Sequence, residues 1–151
     1  MVSLNILVVS KEAWSDIRWA RKQWLPLYLS ELDSVKKVIY LDRHSGWWRG
    51  EKCHAPIHFD EVEVVQEKLL IPFERLSIVR QFNRKLIAQN LLTRLSSSES
   101  WFTLFYHPFD LDVVKHLKGR SKLIFDWTED WAVFHPDHDI EILQQLSVKQ
   151  A

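Results

Sequence analysis

The stretch Lys122-Leu-Ile-Phe-Asp-Trp-Thr-Glu-Asp-Trp-Ala-Val-Phe134 decides how this chain is read. A short apolar run, Leu123 to Phe125, stops at the carboxylate Asp126. Two more carboxylates, Glu129 and Asp130, follow between Trp127 and Trp131. A buried strand that ends at an acidic residue fits an open parallel sheet, where crossover helices cover both faces and only the strand ends stay free to meet ligand.

The rest of the chain supplies matching parts. Leu4 to Ser10 is a near-continuous aliphatic run and predicts a central first strand buried on both faces. Asp16 to Leu32 carries Ile17, Ala20, Trp24, Tyr28 and Leu32 at near-helical spacing, and Pro26 inside that pattern predicts a kink or a break. Val35 to Asp42 reads as a second strand ending in a carboxylate, and Glu61 to Val65 as a short third one. His44 to Asp60 is aperiodic loop sequence. Glu74 to Leu95 is the longest helical pattern, with Val79, Phe82, Leu86, Ile87, Leu91 and Leu95 drifting around one face. Trp101 to Tyr106 is strand-like and stops at His107-Pro108, where the proline holds His107 extended. Leu111 to Leu117 is a short amphipathic helix that Gly119 terminates, Lys122 to Asp126 is the next strand, and Asp137 to Leu146 reads as a last helix. Strands alternating with helices predict right-handed crossovers and a Rossmann-like, doubly wound parallel α/β sheet, one domain over residues 1–151.

Composition sets the outer limits. Basic and acidic residues number 20 each, so no overall field draws the chain to nucleic acid or to an anionic membrane. No window is apolar enough for a transmembrane segment. The single cysteine, Cys53, builds no internal disulfide framework, and the amino-terminal residues lack the pattern of a signal peptide, so a cytoplasmic location is expected. Eight tryptophans are the anomaly, and an indole serves either a core or a stacking platform. Neither His135-Pro-Asp-His-Asp139 nor Cys53-His54 with His58 has the spacing of a known metal motif, so no metal is expected.

In the predicted topology Ser10, Asp42, Arg43, His107 and Asp126 to Asp130 converge on one rim, with Arg18, Arg21 and Gln23 near the start of the first helix. Carboxylates, arginines, a histidine and indoles together are the donors, acceptors and flat faces that sugar recognition uses. No Gly-x-Gly-x-x-Gly and no P-loop follows the first strand, which speaks against an ordinary dinucleotide or triphosphate cradle.

Several of these segments, in order, resemble the N-terminal domain of GT-B glycosyltransferases of the family 4 and family 1 type. They are Arg21-Lys-Gln23, Leu69-Leu-Ile-Pro72, Arg80-Gln-Phe-Asn83, Leu104-Phe-Tyr-His-Pro108 and Leu123 to Trp131 with Phe134. Asp126, Glu129, Asp130 and Trp131 match the family's strand-end aspartate, acidic pair and following aromatic. The resemblance implies an acceptor-side domain of a sugar-nucleotide-dependent transferase in polysaccharide or glycoconjugate biosynthesis. Arg18, Arg21, Gln23, Asp126, Glu129, Asp130 and Trp131 would then be substrate-binding, and His107 would be a catalytic contact. It further implies no resident cofactor, a nucleotide-sugar donor carried mainly on a C-terminal domain that this sequence lacks, and a chain inactive alone. Expected partners are that C-terminal domain and a sugar or lipid-linked acceptor, with peripheral membrane location and self-association as further expectations. The family's glycine-rich loop is missing, since Ser10-Lys-Glu-Ala-Trp-Ser15 holds no glycine.

Other readings of the same residues stay open. The three carboxylates also suit helix capping or ion pairs with Arg18 or Arg21, and His107 suits a plain loop role. The rival for the whole chain is a non-catalytic flavodoxin-like module that binds carbohydrate, nucleotide or protein at the same rim.

Overall fold

Leu4–Val9 forms the central strand β1, and its alternating side chains divide the molecule into two apolar layers. The computed structural model describes residues 3–10, 14, 21–42, 61–66, 71, 73 and 75–127, together with 145, 146, 148 and 149. Within these, the remaining elements are α1 (Arg21–Ser30), β2 (Val35–Asp42), β3 (Val62–Gln66), α2 (Ser77–Arg94), β4 (Ser100–Phe105), α3 (Leu111–Val114) and β5 (Lys122–Phe125). Short 3-10 turns flank α3 at Pro108–Asp110 and Lys115–Leu117.

The five strands are all parallel in the order β3-β2-β1-β4-β5. This is a Rossmann-like α/β sheet, and its order reverses direction between β1 and β4. Leu7 and Val9 pack with Ile39, Leu41, Phe105 and Leu123 under α2 and α3, whereas Ile6 and Val8 pack with Val38, Tyr40, Val62 and Leu104 under α1. Parallel strands buried on both faces need the uninterrupted aliphatic runs that β1 and β2 possess.

Two helices depart from the periodicity. In α2, Phe82 is predicted on one face with Ile87 and Leu91 yet is 49 % exposed, because at about 100° per residue it lies on the far side of the helix from them. The spacing places Trp24, Tyr28 and Leu32 on the buried face of the first helix, yet they are 47 %, 61 % and 50 % exposed. Gln23 and Pro26 are buried instead, and Leu25, Leu27 and Leu29 pack partly against the sheet. The run Trp24 to Leu29 is apolar all round, so its period fixes no face, and the slimmer aliphatic side chains take the space above β1 and β2. Nor is α1 broken at Pro26. The proline lacks only the donor for the carbonyl of Lys22, close to the helix start, and its ring is buried. The predicted last helix, Asp137 to Leu146, lies almost wholly outside the described residues, as does the loop His44 to Asp60.

α2 begins three residues later than Glu74 to Leu95 suggests. Phe73 has a φ of 75°, a left-handed conformation that interrupts right-handed helix, and Leu76 is the N-cap. At its far end, Arg94 meets Glu63 near the start of β3 at 2.8 Å. α2 therefore runs from the carboxyl edge of the sheet back to the amino edge.

Candidate functional site at the carboxyl edge

Every strand ends at the same edge, and polar residues stand at or just past several of those ends. Asp42 ends β2 fully buried, and its Oδ1 accepts the backbone N–H of Trp14 at 3.1 Å. Trp14 is itself fully buried, with its ring 4.8 Å from that of Tyr40. Thus Trp14, after β1 where a phosphate-binding fold keeps glycines, is held by its packed indole and by a carboxylate. Such an anchor serves packing, not close approach of backbone to a phosphate.

His107 follows β4 with φ −121° and ψ 135°, the extended geometry that Pro108 imposes. Its Nδ1 accepts the N–H of Phe109 at 3.1 Å, which caps the 3-10 turn, and its ring stacks on Phe109 at 4.8 Å. With Nδ1 engaged as an acceptor, a neutral ring carries its proton on Nε2. At 4 % exposure the imidazole sits beneath the edge, not on it.

Asp126 lies just past β5. Its N–H donates to the carbonyl of Phe105 at 2.9 Å, continuing the ladder beyond the last paired strand residue. Its Oδ2 meets Nη2 of Arg21, the first residue of α1, at 2.9 Å. The side chains are 18 % and 64 % exposed, so the pair is open to water on the arginine side. The ammonium of the next residue, Lys22, lies 5.8 Å from the ring of Tyr106, directly after β4. The start of α1 and the ends of β4 and β5 are thereby drawn together across the switch point. Trp127 stands beside them, 55 % exposed, its ring 6.4 Å from that of Phe125.

Of the residues predicted for the site, Arg21 and Asp126 are joined directly, and His107 lies buried at the same edge. Gln23 is fully buried on the inner side of α1, an interior position and not a rim surface. Arg18, Glu129, Asp130 and Trp131 lie outside the described residues. The sequence reading missed the tie between Asp42 and Trp14. A core position is one of the two uses open to any indole, but nothing local pairs Trp14 with a carboxylate 28 residues away.

Among the described residues no group of three or more His, Cys, Asp or Glu side chains is placed to hold a metal ion, and no helix is long and apolar enough to cross a membrane. A groove of about 470 Å³ lies at the opposite, amino edge, lined by Leu4, Ser100, Trp101, Arg120, Ser121 and Lys122 among others. Its position argues against a primary site, because the free strand ends of a parallel sheet that meet ligand are the carboxyl ones. Comparison with protein-family models, with curated proteins and with solved structures gives no significant match. The functional reading therefore rests on the fold and on the residues at its carboxyl edge.

Proposed function

We propose that this chain is the acceptor-side domain of a sugar-nucleotide-dependent glycosyltransferase acting in polysaccharide or glycoconjugate biosynthesis. The observation that carries the reading is the Arg21–Asp126 pair beside exposed Trp127 at the switch point of a parallel sheet. A carboxylate accepts hydrogen bonds from sugar hydroxyls, a guanidinium donates to ring and hydroxyl oxygens, and an indole stacks on a sugar's C–H face. The indole anchor after β1 supports placing the nucleotide elsewhere, on a partner α/β domain that closes over this edge. In that cleft an acceptor hydroxyl forms the new bond to the donor's anomeric carbon as the bond to the nucleoside diphosphate breaks. The contribution of this half is orientation. Asp126 and Arg21 position the acceptor, and His107 stiffens the turn behind them. The setting proposed is the cytoplasm at the membrane periphery, with a sugar or lipid-linked acceptor.

The buried, internally engaged state of His107 and Asp42 favours one alternative, a non-catalytic carbohydrate-binding module using the same edge. Titration of the isotope-labelled chain with oligosaccharides and with nucleoside diphosphates separates the outcomes. Shifts at Arg21, Asp126 and Trp127 with sugars and none with nucleotides are expected, and sugar transfer should appear only when a donor domain is supplied. Steady transfer by this chain alone, or a nucleotide held at Trp14, refutes the proposal.

A further inference from the structure

The groove at the amino edge joins the starts of β1, β4 and β5, and its chemistry differs from that of the carboxyl edge. Leu4 pairs in register with Ser100, and Phe102 with Lys122, so strand alternation sets these four side chains on one face of the sheet. Leu4 and Phe102 are partly buried and form an apolar floor. The volume of about 470 Å³ falls within the range of small-molecule sites, about 300–1,000 Å³. The turn into β5 forms one bank and is held from several directions. Gly119 takes the left-handed φ of 98° that the turn requires. The N–H groups of Arg120 and Ser121 both donate to the carbonyl of Leu117, at 3.0 and 3.1 Å. The hydroxyl of Ser121 meets that of buried Thr103 on β4 at 2.6 Å. Arg120 and Lys122 are therefore presented from a fixed backbone.

Charge indicates what this groove takes. Both cations are exposed, and neither joins an ion pair among the described residues. Lys122 sets its ammonium 5.6 Å from the ring of Phe102, which holds the charge beside the groove. No Asp or Glu occurs from Val113 to Phe125, a stretch that also carries Lys115 and Lys118. Among the lining residues the one carboxylate is Glu99, whose Oε1 is engaged by Lys36. That leaves its Oε2 to accept from a ligand hydroxyl. Two cations so close together without a counter-ion repel each other, and an anion that meets both is favoured.

We propose that this groove binds a sugar phosphate. Its phosphate meets the guanidinium fork of Arg120 and the ammonium of Lys122. Hydroxyls of the sugar reach Oε2 of Glu99 and the hydroxyl of Ser100, and the C–H face of its ring lies on Leu4 and Phe102. Two cations beside a neutralised carboxylate match the charge of about −2 that a phosphate monoester carries and a phosphodiester does not. A nucleobase finds no open platform, because Lys122 lies over Phe102 and Trp101 is only 3 % exposed. β4 and β5 run the depth of the sheet from this groove to the carboxyl edge, so the two sites are separate. Binding here holds whether or not the carboxyl edge takes a sugar acceptor.

Amide chemical-shift titration of the full chain tests it. Glucose 6-phosphate, glucose 1-phosphate and ribose 5-phosphate are the probes, compared with glucose, inorganic phosphate and adenosine monophosphate. Saturable shifts at Ser100, Arg120 and Lys122 are expected with at least one sugar phosphate, at an affinity about tenfold or more above that of glucose or inorganic phosphate. Arg120→Gln and Lys122→Gln should each weaken binding about tenfold. Lys115→Gln removes a charge outside the groove and should change it less than about twofold. All three positions are exposed, circular dichroism checks folding, and if one groove variant unfolds the other decides. No saturable shift with any sugar phosphate, equal affinity for glucose or inorganic phosphate, or a Lys115 effect as large as that of the groove variants overturns the proposal. Tighter binding of adenosine monophosphate than of every sugar phosphate overturns it in favour of a nucleotide site.

Discussion

Replacing Asn83 by alanine tests how the loop before α2 is held. Asn83 is 1 % exposed, and its amide bridges both backbone groups of Ile71, the outgoing bond at 2.9 Å being better formed than the incoming one at 3.3 Å. With about 1 kcal/mol net for the shorter bond, less for the longer, and a further part for a buried polar atom left unmatched, the loss comes to about 2 kcal/mol. For a chain of this size that lowers Tm by about 4–8 °C. Asn83→Asp should be worse, about 3 kcal/mol near neutral pH, because it keeps the weaker bond and sets a buried carboxylate against the carbonyl of Ile71. Acidification should recover part of that loss, since a protonated carboxyl can donate where the amide did. Urea unfolding gives the global cost, and hydrogen exchange at the Ile71 amide gives the local one. An alanine cost below about 0.5 kcal/mol, or an aspartate variant as stable as the alanine one, would refute the bidentate clamp.

Other outcomes follow from single contacts. Asp126→Asn should cost less than about 1 kcal/mol, because its partner Arg21 is largely exposed, so any strong effect of this change should appear in ligand titration and not in Tm. Gly119→Ala should cost about 1–2 kcal/mol by urea unfolding for conformation alone, since φ is 98° and a Cβ there would meet nothing within 4 Å. Leu7→Ala, at a fully buried site in the central strand, should cost about 2–5 kcal/mol by the same assay. Acid should destabilise the fold in two stages. Burial, with Lys115 and Lys85 nearby, lowers the His116 pKa, and hydrogen bonding to Lys37, with Arg94 near, lowers that of Glu63. In both cases the unfolded chain binds more protons, so stability present at neutral pH falls first below about 6.5 and again below about 4.5. His116→Gln should shrink the fall below about 6.5 in a Tm-against-pH profile while leaving the lower one.

Local sequence determined the strands and their sense. Val35 to Asp42 was legible to the residue because an aliphatic run between polar ends has few other uses, and His107 was legible as extended because proline restricts its predecessor. The alternation of elements determined a parallel sheet, through the geometry of crossovers. The tertiary structure decided the order β3-β2-β1-β4-β5 and which residues meet across it, since strand adjacency is a long-range choice that no local period encodes. It also decided which face of an all-apolar helix turns inward, placing Gln23 inside and Trp24, Tyr28 and Leu32 outside. Asp126 was visible as a carboxylate at a strand end. That Arg21 answers it, while His107 turns its Nδ1 to a backbone N–H, depends on how the chain ends of separate strands pack together.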